Sequence, residues 1–100
     1  MIKPIDRSHL EDVAAMFKAL SDPARLQTLI TLGAGERNVG ELVQAERDRI
    51  GTVSARLKVL LQARLVKRRR EGKNAIYAIA DAHVFKLVKN AIARRRKPLT

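Results

Sequence analysis

The chain has no cysteine and no tryptophan, and only three prolines among its 100 residues. Without thiols there is no disulfide framework, no thiol catalysis, no thiol redox sensing and no thiolate metal site. Phe17, Tyr77 and Phe85 are the only aromatic residues, so a composition that is 46% apolar has to build its core from Leu, Val, Ile and Ala. That mixture favours packed helices. It also weighs against RNA recognition, which stacks bases on aromatic rings. No apolar stretch approaches the roughly 20 residues of a membrane span. The opening "MIKPIDRSHLED" has charges and a proline where a signal peptide needs an apolar run. The expectation is a soluble, cytoplasmic protein with no membrane partner.

Negative charge is also scarce, and it is confined. Lys and Arg number 21 against 10 Asp and Glu, for a net charge of +11. Residues 1–48 hold six cations and eight anions, whereas residues 49–73 hold nine cations and one anion, and residues 74–100 six and one. The excess begins abruptly at Arg49. Such asymmetry suggests a polyanion partner, most often nucleic acid, against the alternative of a merely solubilising basic surface.

One hundred residues make one domain, 1–100, able to bury roughly two-thirds of its unfolded surface. "RSHLEDVAAMFKAL" places Ser8 three residues before Glu11, a capping-box spacing, and repeats apolar residues at helical intervals, predicting a helix over 8–20. In "SDPARLQTLITLGAGE", Ser21 or Asp22 caps a second helix, Pro23 lies in its first turn, and Gly33 and Gly35 end it. Residues 38–64 read as two helices joined by a turn near Glu46 to Gly51. Asn38 and Glu41 repeat the capping-box spacing, and Val53, Leu57, Leu60 and Leu61 form the inward stripe of the second helix. The pattern changes at "VKRRREGKNAIYAIAD", where Gly72 sits in a turn, predicting a hairpin over 66–80. A last helix, over 81–95, carries Val84, Leu87, Val88, Ala91 and Ile92.

Mainly α with one β-hairpin, in the order helix, helix, helix-turn-helix, hairpin, helix, is the order of a winged helix-turn-helix. Its expected partner is double-stranded DNA. The helix from roughly Arg49 to Arg64 would enter the major groove. Thr52 and Arg56 share one side of its outer face, Ser54 and Lys58 the other, and Ala55 between them permits close approach. Arg56 and Arg49 offer guanine a bidentate pair of hydrogen bonds, or equally grip phosphate. Thr52 and Ser54 contact base or phosphate, or simply cap or face solvent. Arg68, Arg69, Arg70 and Lys73 lie on the hairpin, where they can reach phosphates or the minor groove. The blander reading of that run is a charged edge that discourages strand aggregation. With His9 and His83 isolated, no glycine-rich phosphate loop and no carboxylate pair in an obvious pocket, an enzyme is not expected.

"ALSDPARLQTL", "TVSARLKVL" and "GKNAIYAIAD" together resemble the ArsR/SmtB family of prokaryotic winged-helix repressors, and the resemblance runs from about Val13 to Arg94. It implies a homodimer whose first and last helices form the interface, so that two recognition helices meet half-sites of an inverted-repeat operator about one DNA turn, ~34 Å, apart. It also implies metal sites, from which this chain departs. Asn38 and Gly40 stand where family sensors carry paired cysteines. Asp81 and His83 match one half of an interface site for zinc or nickel, while Arg94 and Lys97 stand at the other half and offer no lone pair. Those cations instead offer cross-subunit ion pairs to Asp81, and capping of the last helix by Asp81 is the simpler account. No cofactor and no thiol-based inducer is expected. Ile50, Gly51 and Ala55 further replace polar residues at the tip of the recognition helix. The competing function is an architectural, nucleoid-type protein with little sequence preference.

Overall fold

A computed structural model describes residues 4–96. Helix α1 runs from Arg7 to Leu20 and α2 from Pro23 to Gly33. A two-residue strand β1, Arg37–Asn38, leads into α3, Val39–Glu46, followed by α4, Ile50–Gln62. Strands β2, Val66–Glu71, and β3, Asn74–Ile79, form the hairpin, and α5 spans Ala82–Arg96. The expected order of elements is present, with one strand more than the sequence indicated. The three strands form an antiparallel sheet in the order β1-β3-β2, with Arg37 opposite Tyr77 on one side of β3 and Arg68 opposite Tyr77 on the other.

Local chemistry explains the boundaries. The Asp22 carboxylate accepts the Arg25 N–H, and Pro23 opens α2 where no amide hydrogen is needed, so Asp22 rather than Ser21 is the cap. Ser21 instead closes α1, its hydroxyl donating to the Lys18 carbonyl. At α3 the capping box is complete. The Asn38 side chain accepts the Glu41 N–H at 2.8 Å and the Glu41 side chain accepts the Asn38 N–H at 2.9 Å. The same spacing at Ser8 and Glu11 forms no box, because the extended residue is Asp6 and Ser8 already lies within α1. Gly72, the first of two residues between β2 and β3, has φ +62, a conformation that a tight hairpin turn demands and glycine supplies without strain.

Leu29 and Leu32 of α2, Leu42 of α3, and Val53, Leu57 and Leu60 of α4 form the centre of the core. Leu65, Val66, Tyr77 and Val88 close it from the sheet and α5. Where α5 crosses α2, a side chain at Gly33 would lie 2.0 Å from the Phe85 ring, so only hydrogen fits between the helices. Leu10, Val13 and Phe17 of α1 and Leu87 of α5 stay exposed although they belong to helical apolar stripes.

Candidate nucleic-acid interface

Helix α4 owes its orientation to its inner stripe. Burying Val53, Leu57 and Leu60 leaves Thr52, Ser54, Ala55 and Lys58 exposed on the opposite side, as a 3.6-residue repeat requires. Arg49 is the N-cap of α4 and is exposed, with no side-chain capping bond. Thr52 and Ser54 lie inside the helix, so neither caps it. The turn before α4 begins at Arg47, held in the left-handed conformation at φ 55, ψ 40, which re-aims the chain between α3 and α4. Arg47 is exposed beside Arg49 and was not singled out by the charge pattern.

The hairpin lies after α4. Val66 anchors β2 in the core and every later residue of that strand is exposed. Side chains alternate along a strand, which puts Arg68 and Arg70 on one face and Arg69 on the other. Lys73 is exposed at the turn.

Two of the expected DNA-binding arginines are engaged within the chain. The Nη1 of Arg56 lies 3.4 Å from the Glu46 carboxylate and its Nη2 lies 2.5 Å from that of Asp48. The Arg56 and Glu46 side chains are 14% and 3% exposed, so this pair is sheltered from water. The hydrogen bond to Asp48 and the two neighbouring carboxylates hold the Arg56 guanidinium above its ordinary pKa, partly offset by burial. The Thr28 hydroxyl, on fully buried α2 surface, hydrogen-bonds Glu46 from the other side. On the hairpin, Arg69 donates to Glu71 at 2.6 Å and to Glu36 at 2.7 Å, joining β2 to the segment before β1. These two hydrogen bonds, led by Glu71, raise the Arg69 pKa as well. Among the described residues, Arg47, Arg49, Lys58, Arg68, Arg70 and Lys73 make no ion pair.

Among the described residues, neither place where resemblance implied metal gathers a full set of donors. The Asn38 side chain is occupied in the capping box and Gly40 has none to offer. The Asp81 carboxylate accepts the Val84 N–H at 3.0 Å, as a helix cap does, and His83 and Arg94 are exposed further along α5. Lys97 lies outside the described residues. Among the described residues, no three His, Cys, Asp or Glu side chains gather closely enough to hold an ion. No helix among them is long and apolar enough to cross a membrane.

No protein-family model matches the chain. Individual proteins do. A transcriptional repressor SmtB homolog of Synechocystis is 40% identical over 77 residues, covering 77% of this chain and 58% of that protein. The chain thus spans little more than half the length of that repressor. The biofilm growth-associated repressor of Agrobacterium fabrum is 38% identical, covering 85% and 73%. Among solved structures, a homodimeric winged helix-turn-helix DNA-binding domain of Mb0332 from Mycobacterium bovis, described as a possible ArsR-family transcriptional regulator, superposes with a TM-score of 0.84. It is 36% identical, and the match covers 97% of this chain and 94% of that one.

Proposed function

This chain belongs to the ArsR/SmtB family of winged helix-turn-helix regulators, and on that premise we propose that it is a cytoplasmic transcriptional repressor that binds an inverted-repeat operator as a homodimer. The observation that carries the reading is a set of unpaired cations on elements that follow one another in the fold. The outer side of α4, the turn before it and the hairpin present Arg47, Arg49, Lys58, Arg68, Arg70 and Lys73, exposed and without carboxylate partners among the described residues. Such cations release counterions from DNA when they meet phosphate, which supplies affinity. Thr52 and Ser54 on the exposed side of α4 supply hydroxyls to base edges or phosphate, and Arg49, unlike Arg56, has no carboxylate partner among the described residues and can pair with guanine.

Dimerisation is supported by the exposed apolar stripe of α1, Leu10, Val13 and Phe17, and by Leu87 of α5. A second copy related by a two-fold axis would cover both faces and set two α4 helices toward successive major grooves. The reading assigns no catalytic step and no cofactor. Asn38 and Gly40 replace the cysteines at one family metal site and only Asp81 and His83 remain at the other, which favours a releasing signal other than zinc or nickel, or none.

The +11 charge favours one rival, an architectural protein that holds DNA by phosphate alone. Selection of bound duplexes from a random pool at physiological salt, with and without added zinc or nickel, separates the two. A repressor recovers one two-fold symmetric motif, unchanged by metal. An architectural protein recovers no motif, and its affinity falls equally for all sequences as salt rises.

A further inference from the structure

A guanidinium that is to read guanine must present both of its terminal nitrogens to one base edge. Those of Arg56 are turned inward. One faces Glu46, the last residue of α3, and the other faces Asp48, in the turn between α3 and α4. Glu46 is reached in addition by the Thr28 hydroxyl from α2. One side chain of α4 is therefore joined to the end of α3 and to the following turn and, through Glu46, to α2. One positive charge set between two negative ones also leaves the cluster with a net charge of −1, which attracts no phosphate.

We propose that Arg56 is a positioning residue, which with Glu46, Asp48 and Thr28 sets the angle of the recognition helix, and that DNA contact falls to the cations around it. The inference rests on the DNA-binding reading given above. A sheltered ion pair such as Arg56–Glu46 contributes little net stability compared with an apolar substitute, and the best-attested use of such pairs is to specify one geometry. A recognition helix needs that, because its contacts to bases tolerate displacements of only about 0.5 Å. The cluster lies at the short turn, Arg47 to Arg49, that joins α3 to α4 and sets the direction in which α4 leaves. Asp48 and Glu46 are also the last two anions before the basic half of the chain begins, so the structure uses them where the charge changes sign.

The rival is that the carboxylates store Arg56 and release it to DNA on encounter. The two ideas give opposite answers for Glu46→Gln. With a duplex recovered from the random-pool selection, affinity is measured as a function of salt for the wild type and for Arg56→Ala, Arg56→Lys, Glu46→Gln, Thr28→Val and the double variant Glu46→Gln/Arg56→Ala, with Lys58→Ala as a contact control. Circular dichroism checks that each is folded. Arg56→Ala is expected to weaken binding about tenfold while leaving the slope of log affinity against log salt unchanged. Lys58→Ala, which removes one phosphate contact from each of the two subunits, should reduce that slope by about 1.8, twice the value of about 0.9 for one phosphate.

Arg56→Lys keeps the charge but cannot span both carboxylates, so it should bind as weakly as the alanine variant. Glu46→Gln should weaken binding although it removes a negative charge, Thr28→Val should do so to a smaller extent, and the double variant should be no weaker than the worse single one. A smaller salt slope in Arg56→Ala, full affinity in Arg56→Lys, or tighter binding in Glu46→Gln overturns the proposal. Should Glu46→Gln fail to fold, Arg56→Lys and Thr28→Val still decide the question. Failure of the DNA-binding reading is recognisable separately, because the unsubstituted protein would then recover no preferred duplex.

Discussion

Leu57 on α4 is 1% exposed and Phe17 on α1 is 52% exposed, yet both belong to apolar stripes with the same helical period. The stripe of α4 meets Leu29, Leu42 and Leu65 and is finished inside one chain. That of α1 meets the body only toward its end, through Met16, Ala19 and Leu20, and leaves Leu10, Val13 and Phe17 in water. The unit around α4 is thus complete in a single copy, whereas the α1 and α5 faces are left uncovered, as the proposed dimer requires. An exposed contiguous apolar face of that kind marks an interaction surface, where scattered exposed leucines do not.

The sharpest way to break this contrast is to damage the finished side. Leu57→Ala should cost about 2–5 kcal/mol of folding stability, whatever the state of assembly, because it opens a cavity in a region with no slack. Urea unfolding, repeated over a range of protein concentrations, checks it. On the unfinished side, Phe17→Glu should leave the secondary structure intact, shift the sedimenting species to one chain and weaken operator binding by about a hundredfold. Loss of helix content in that variant would mean α1 is held by its own chain after all.

Between the two lies the contact that seats α5. Gly33→Ala forces the Phe85 ring away from α2 and should cost about 1–3 kcal/mol, with weakened dimerisation alongside it. A thermal melt together with sedimentation measures both. The smallest effect is expected at the start of α3. Asn38→Ala removes one half of the capping box and should cost about 1 kcal/mol, visible as a lower urea midpoint with unchanged slope.

Much of this architecture was legible in the sequence because it rests on local chemistry. Apolar period located α1, α2, α4 and α5, and the Asn38 and Glu41 pair marked α3 correctly. Equal spacing at Ser8 and Glu11 misled, since a capping box also requires extended backbone at the first residue, and that conformation falls at Asp6. Strand β1 was not visible at all. Two residues have no alternation to read, and only backbone pairing with Ile76 and Tyr77 across the sheet makes them a strand.

The candidate interface divides in the same way. The sign of the charge and the exposed side of α4 could be read from composition and period. The internal engagement of Arg69 could not, because Glu36 is 33 positions away and only the fold brings it near. For Arg56 a signal was present. "ERDR", residues 46–49, sets two acids among arginines directly before the basic helix, and acids at that point are what a neighbouring arginine would pair with.

The most direct measurement is the mass of the protein in solution by sedimentation equilibrium, alone and bound to the duplex recovered from selection. A protein completed by a second copy should have the mass of two chains when free and add two chains to each two-fold symmetric duplex. A free species with the mass of one chain at every concentration, binding each duplex singly, would contradict the account, because the α1 and α5 faces would then remain uncovered in the working molecule.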